Sequence, residues 1–130
     1  MSVPFICIFV AFLLNLASKG PVAIAMARRP GGYDNRTPRD QQAALEGWGR
    51  RAVAAHLNGF EAFAPFAAAV LVAVISGADP TWTARLAVVF VAARAIYVPL
   101  YIADLALARS AVWTVGFAAT AGLFVLPMLT

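Results

Sequence analysis

Charge is what this chain has least of. Aspartate, glutamate, lysine and arginine make up 12% of the residues, where a soluble domain carries about 25%. A chain that is 62% hydrophobic, with a mean hydropathy of +0.80, is too apolar for an ordinary water-soluble domain and reads as a small integral membrane protein. Cysteine is nearly absent. Cys7 stands alone in an apolar run, which excludes a disulfide framework and a cysteine-based metal site and fits a buried, inert thiol. No basic residue precedes Lys19, so the first apolar run lacks the charged start of a cleavable signal peptide and is expected to be retained. Repeats and linkers are missing too, so residues 1–130 read as one domain. The net charge of +4 and pI near 10.0 would suit a nucleic-acid partner. No nucleic-acid motif accompanies them, however, and most of the basic residues collect in one loop and its helical flanks.

What is present is a set of long apolar runs. The pattern predicts an all-α bundle of four transmembrane helices over about residues 3–27, 43–75, 82–106 and 111–128, each near or above the ~20 residues that cross a bilayer. Between the first two, Arg28 to Gln42 reads RRPGGYDNRTPRDQQ. Its Pro, Gly, Asn and Asp, with charges of both signs, make it the one long polar connection. The second helix is expected to project Glu46, Arg50 and Arg51 out of the membrane. Ser76 to Thr81 is a tight turn, and Trp113 is an interfacial anchor near the start of the fourth helix. The polar loop and its helical flanks hold Arg28, Arg29, Arg36, Arg39, Arg50 and Arg51, and the third connection holds Arg109. The opposite side has only Arg85. The positive-inside rule therefore places loop 28–42 in the cytoplasm and both termini on the far side.

One stretch organises the candidate site: RAVAAHLNGFEAFAPF, from Arg51 to Phe66. Ala54, Asn58, Glu61 and Pro65 recur at helical spacing and so share a face, with Asn58 and Glu61 one turn apart. An amide and a carboxylate inside an apolar segment are costly against lipid, so they are expected to face protein or a wet pocket. Arg94 lies about 13 residues past the turn and Glu61 about 15 before it. At ~1.5 Å per residue both are some 20 Å from the turn and nearly level. Arg94, Tyr97, Tyr101 and Asp104 form a second polar stripe that ends near Arg109 and Ser110. The two stripes suit an anionic ligand with several polar arms that enters from the cytosolic side. The structural alternative is a packing carboxylate neutralised by an interhelical Arg, with the tyrosines as packing aromatics.

At these residues the chain resembles the MAPEG family, the membrane-associated proteins of eicosanoid and glutathione metabolism. Ala55, His56, Asn58, Glu61, Pro65 and Phe66 carry the likeness in the second helix, Arg94, Tyr97 and Tyr101 in the third, and Arg109 with Ser110 beyond. Tyr33, Asp34, Asn35, Arg36, Pro38 and Arg39 resemble its short bacterial branch. The resemblance implies a homotrimer in a bacterial inner membrane, with periplasmic termini, and with glutathione as co-substrate bound between protomers near the cytosolic face. By similarity Asn58 and Glu61 hold the peptide backbone and γ-glutamyl end, Arg94, Tyr97 and Tyr101 line the same pocket, and Arg109 stands against the thiol. Arg51 and Ser110 complete the implied set, with no metal. One departure is Ala54, where the eicosanoid enzymes carry an Arg.

Three functions compete on this reading. The first is a glutathione-dependent transferase or peroxidase that acts on hydrophobic electrophiles. The second is a non-catalytic trimer that keeps the fold but binds a lipid or partner, which the loss of the Arg at position 54 favours. The third is a small proton-coupled multidrug transporter working through Glu61. Such transporters usually carry their carboxylate in the first helix and show little charge bias, and neither holds here.

Overall fold

The computed structural model describes residues 1–129. Its elements are all helical: α1 (Val3–Ala17), α2 (Lys19–Ala27), α3 (Pro38–Ala43), α4 (Gly47–Ile75), α5 (Pro80–Ile102) and α6 (Ala106–Leu129). Helices α1 and α2 join at Ser18 into one 25-residue span, and with α4, α5 and α6 they make four helices long and apolar enough to cross a membrane. The protein is therefore a four-helix membrane bundle. All-helical spans follow from the solvent, because lipid offers no partner for a free backbone N–H or C=O.

The helices approach closely because small residues line their contacts. Ala11, Ala69, Ala73, Ala87 and Ala119 are buried in one cluster shared by α1, α4, α5 and α6. Phe66 and Phe90 stack across α4 and α5 with ring centroids 3.8 Å apart and planes 8° from parallel. Nearer the α2 end, Gly49 packs against Ala25 so tightly that a Cβ would meet Ala25 Cβ at 2.9 Å. Large apolar side chains such as Phe9, Leu71 and Ile96 point outward, as a lipid-facing surface requires.

Helix ends differ from the sequence expectation in four places, each for a local reason. The second long helix begins at Gly47 rather than near Ala43, because Gly47 takes a left-handed φ of 60° that breaks the run and leaves Pro38–Ala43 as a separate turn of helix. Glu46 accordingly stands at the N-cap of α4 and not inside it. The third starts at Pro80, two residues early: Asp79 accepts from the Trp82 N–H at 2.8 Å, and proline suits the first helical position. It also ends sooner, at Ile102. Asp104 adopts a φ of 62°, and the Asp104 and Leu105 amides donate back to Tyr101 and Leu100, which closes α5. The chain re-enters helix at Ala106, so Arg109 and Ser110 lie within the first turns of α6 rather than in the connection. Pro65 sits in the interior of α4, which runs unbroken past it.

Arg51 fixes how α4 meets α5. Its Nε donates to the Ile102 carbonyl at 3.0 Å, and this places a cation on the negative end of the α5 dipole.

Candidate functional site

Helix α4 brings Asn58 and Glu61 to one face, and α5 brings Arg94 up against them. Arg94 Nη1 donates to Asn58 Oδ1 at 2.9 Å, and Asn58 Nδ2 donates to Glu61 Oε2 at 3.3 Å. A guanidinium has only donors, so the amide must turn its oxygen to Arg94 and its NH2 to the carboxylate. Glu61 and Arg94 thus meet at a common level, as their sequence positions predict, but through Asn58 rather than by direct contact. Arg94 is 8% exposed, whereas Asn58 is half-buried and Glu61 is exposed. A buried cation therefore stands behind the amide, and the carboxylate lies open to a ligand.

The relay continues along α5 through rings. The Arg94 guanidinium lies 4.1 Å from the centroid of Tyr97, Tyr97 meets Tyr101 edge-on at 5.7 Å, and Arg109 sits 4.4 Å from the Tyr101 centroid. Each guanidinium over a ring face gains from the ring quadrupole, more so where water is excluded. Two rings thus stand between two cations from mid-bundle to the first turn of α6.

Two clefts open on this chain of groups. One, of about 230 Å³, has Asn58, Glu61 and Arg94 at its polar end and Pro65, Phe90, Phe117 and Thr120 along its apolar wall. The other, of about 450 Å³, is lined by Tyr97, Tyr101, Arg109 and Ser110 with Thr114. Trp113 borders both, so the two are neighbours across one indole. Of the eight residues singled out in the sequence, seven line these clefts. Arg51 does not; it is held by the α5 carboxyl end.

Sequence reasoning missed the aromatic wall. Trp113, an interfacial anchor by its sequence position, also stacks on Phe117 at 5.3 Å and 11° and lines both clefts. The one-turn spacing of Trp113 and Phe117 was available as a signal, but on a wholly apolar helix it does not stand out. A second polar group was missed as well. Ser18 Oγ lies 2.7 Å from both the Asn15 carbonyl and His56 Nδ1, and Asn15 is buried beside Gly59 with its Nδ2 unpartnered. His56 faces nearly the opposite side of α4 from Glu61, so this group backs the site instead of joining it.

The model of the MAPEG family matches residues 3–129 of the 130. No curated protein and no solved structure matches the chain.

Proposed function

We propose, since the chain belongs to the MAPEG family, that it is a glutathione-dependent membrane transferase or peroxidase acting on hydrophobic electrophiles. The family includes glutathione-dependent transferases and non-catalytic members alike, so the residues must choose between them. The observation that carries the proposal is the pairing of clefts. A carboxylate held open by a buried Arg through an amide lies next to a cleft where Arg109 stands over Tyr101, and an apolar wall adjoins both.

In this reading Glu61 takes the γ-glutamyl ammonium of glutathione, Asn58 and Arg94 fix the amide and carboxylate arms, and Tyr97, Tyr101 and Ser110 line the path toward α6. Arg109 stands against the sulfur. A thiol with a reference pKa of ~8.5 is mostly protonated at neutral pH, and a guanidinium beside it favours the thiolate, which is the nucleophile. The thiol proton leaves to water, the sulfur lone pair forms a bond to the electrophilic carbon, and that carbon's leaving group departs with the bonding pair. With a hydroperoxide the thiolate attacks the distal oxygen and displaces an alkoxide, which takes up a proton. A second glutathione then closes the disulfide and releases water. Holding thiol and acceptor together in neighbouring clefts supplies the orientation.

The assembly is a homotrimer in a bacterial inner membrane, with the 28–42 loop cytoplasmic and both termini periplasmic. Ala54 favours one second reading, a non-catalytic trimer that binds a lipid or partner. Titration of ultraviolet thiolate absorbance with saturating glutathione separates the two. The enzyme reading expects thiolate at neutral pH that disappears in Arg109→Ala; absence of thiolate in the wild type would leave the non-catalytic reading standing.

A further inference from the structure

The loop between α2 and α4 carries the largest concentration of charge in the protein, and neither cleft uses it. Arg28, Arg29, Arg36 and Arg39 are all exposed. The three acids of this connection, Asp34, Asp40 and Glu46, are not paired with them: among the described residues no guanidinium of the four makes an ion pair, and Asp34 is spent on its own turn. Its Oδ1 accepts from the Arg36 and Thr37 amides at 2.9 and 3.1 Å, and its Oδ2 accepts from the Thr37 hydroxyl at 2.9 Å.

The loop is also clasped. Gln41 Oε1 accepts from the Asp34 amide at 2.9 Å, while its Nε2 donates to the carbonyls of Gly32 at 2.9 Å and Met26 at 3.5 Å. One side chain thus ties the end of α2, the turn and α3 together. Gly31 and Gly32 reverse the chain with φ of 84° and 76°, conformations open to glycine alone at low cost. The arginines therefore stand on a fixed surface, not a floppy tether. That surface lies at the bilayer edge, between the last residue of one span, Ala27, and the first of the next, Gly47. Arg28 lies 5.6 Å from the Trp48 ring, and Tyr33, five residues further along the loop, is 40% exposed. Tryptophan and tyrosine are the residues that settle at headgroup level.

We propose that this clasped loop is a docking surface for anionic phospholipid headgroups of the leaflet it borders. Guanidinium forks match phosphate oxygens in geometry as well as charge, and the surface offers four of them, none held by a carboxylate of the described residues. The claim is independent of the glutathione chemistry. It also gives a physical sense to the Tyr33–Arg39 motif: Asp34 shapes the turn, and Arg36 and Arg39 are presented by it.

The test is a lipid titration of the detergent-solubilised protein, followed by native mass spectrometry, with phosphatidylglycerol against zwitterionic phosphatidylcholine. Each basic residue near an anionic surface contributes about fivefold in affinity, so the wild type should prefer phosphatidylglycerol by about tenfold or more, and less at high salt. The Arg28→Gln, Arg29→Gln, Arg36→Gln, Arg39→Gln variant should lose that preference. Gln41→Ala, which changes no charge, should lose much of it, and Arg85→Gln on the opposite rim should keep it. Equal affinity for the two lipids, or a preference surviving the fourfold variant, would overturn the proposal. A Gln41→Ala protein with full preference would reduce the surface to diffuse charge and overturn its being built. Should the fourfold variant misfold, Arg36→Gln and Arg39→Gln singly, both at exposed positions, carry the same comparison.

Discussion

Gly59→Ala probes the packing behind the site. Gly59 faces Asn15 of α1, and a Cβ built on it would meet Asn15 Oδ1 at 2.5 Å and Cγ at 3.3 Å. The first distance is shorter than a carbon and an oxygen tolerate, so something must shift. Asn15 is 7% exposed and its amide nitrogen is already unpartnered, which leaves the side chain little room to turn. Overpacking of this kind costs about 1–3 kcal/mol, against a gain of up to about 1 kcal/mol from alanine's helix propensity. A net loss of up to about 2 kcal/mol follows, and Arg94 Nη2, 4.0 Å from the same point, would feel the displacement. Unfolding in mixed micelles should show it. Asn15→Ala should remove the clash, so the double variant should recover most of the loss, with a coupling of about 1 kcal/mol or more. A Gly59→Ala protein as stable as wild type, or a double variant whose effects simply add, would refute the close approach of α1 to α4.

Other changes test the remaining elements. Arg51→Ala should cost about 1–2 kcal/mol of stability, since it strips the Ile102 carbonyl of its partner at a helix end, while glutathione binding is affected less than in Glu61→Gln; the two readouts together separate an anchoring role from a ligand contact. Asp104 sits at a φ of 62°, so Asp104→Gly should be neutral or slightly stabilising and Asp104→Val should cost about 1–2 kcal/mol in the same unfolding assay. Hydrogen bonds from the Thr37 amide and hydroxyl, and from the Arg36 amide, hold the Asp34 carboxyl below its usual value. A lowered folded-state pKa means the turn's stabilisation is complete above the ordinary carboxylate range and is lost as pH falls through the lowered value. The Thr37 amide resonance should therefore report turn opening only on acidification, and Asp34→Asn should flatten that response.

The four spans were legible because lipid makes one demand that sequence answers directly: long apolar runs with polar breaks. The level meeting of Glu61 and Arg94 was legible for a similar reason, since depth in an antiparallel pair can be counted from the Ser76–Thr81 turn. What could not be read was who stands between them. Asn58 as the bridge depends on rotamers, and rotamers depend on packing. One helix end failed where an ordinary residue took an unusual backbone. Asp104 closes α5 in a conformation usually given to glycine, and nothing in its neighbourhood announces that. Trp113 illustrates the limit of pattern on an apolar helix, because every face looks alike until a partner is known. Ser18 and His56 lie 38 residues apart, and only the joint between α1 and α2 brings them together.

The central claim is that Asn58, Glu61 and Arg94 form the polar end of a glutathione site. Calorimetric titration of glutathione into the detergent-purified protein, beside Glu61→Gln and Arg94→Ala, addresses it most directly. The account predicts saturable binding in the wild type that is lost in both variants while the proteins stay folded. No binding to a well-folded wild-type protein, or binding untouched by either substitution, would contradict it.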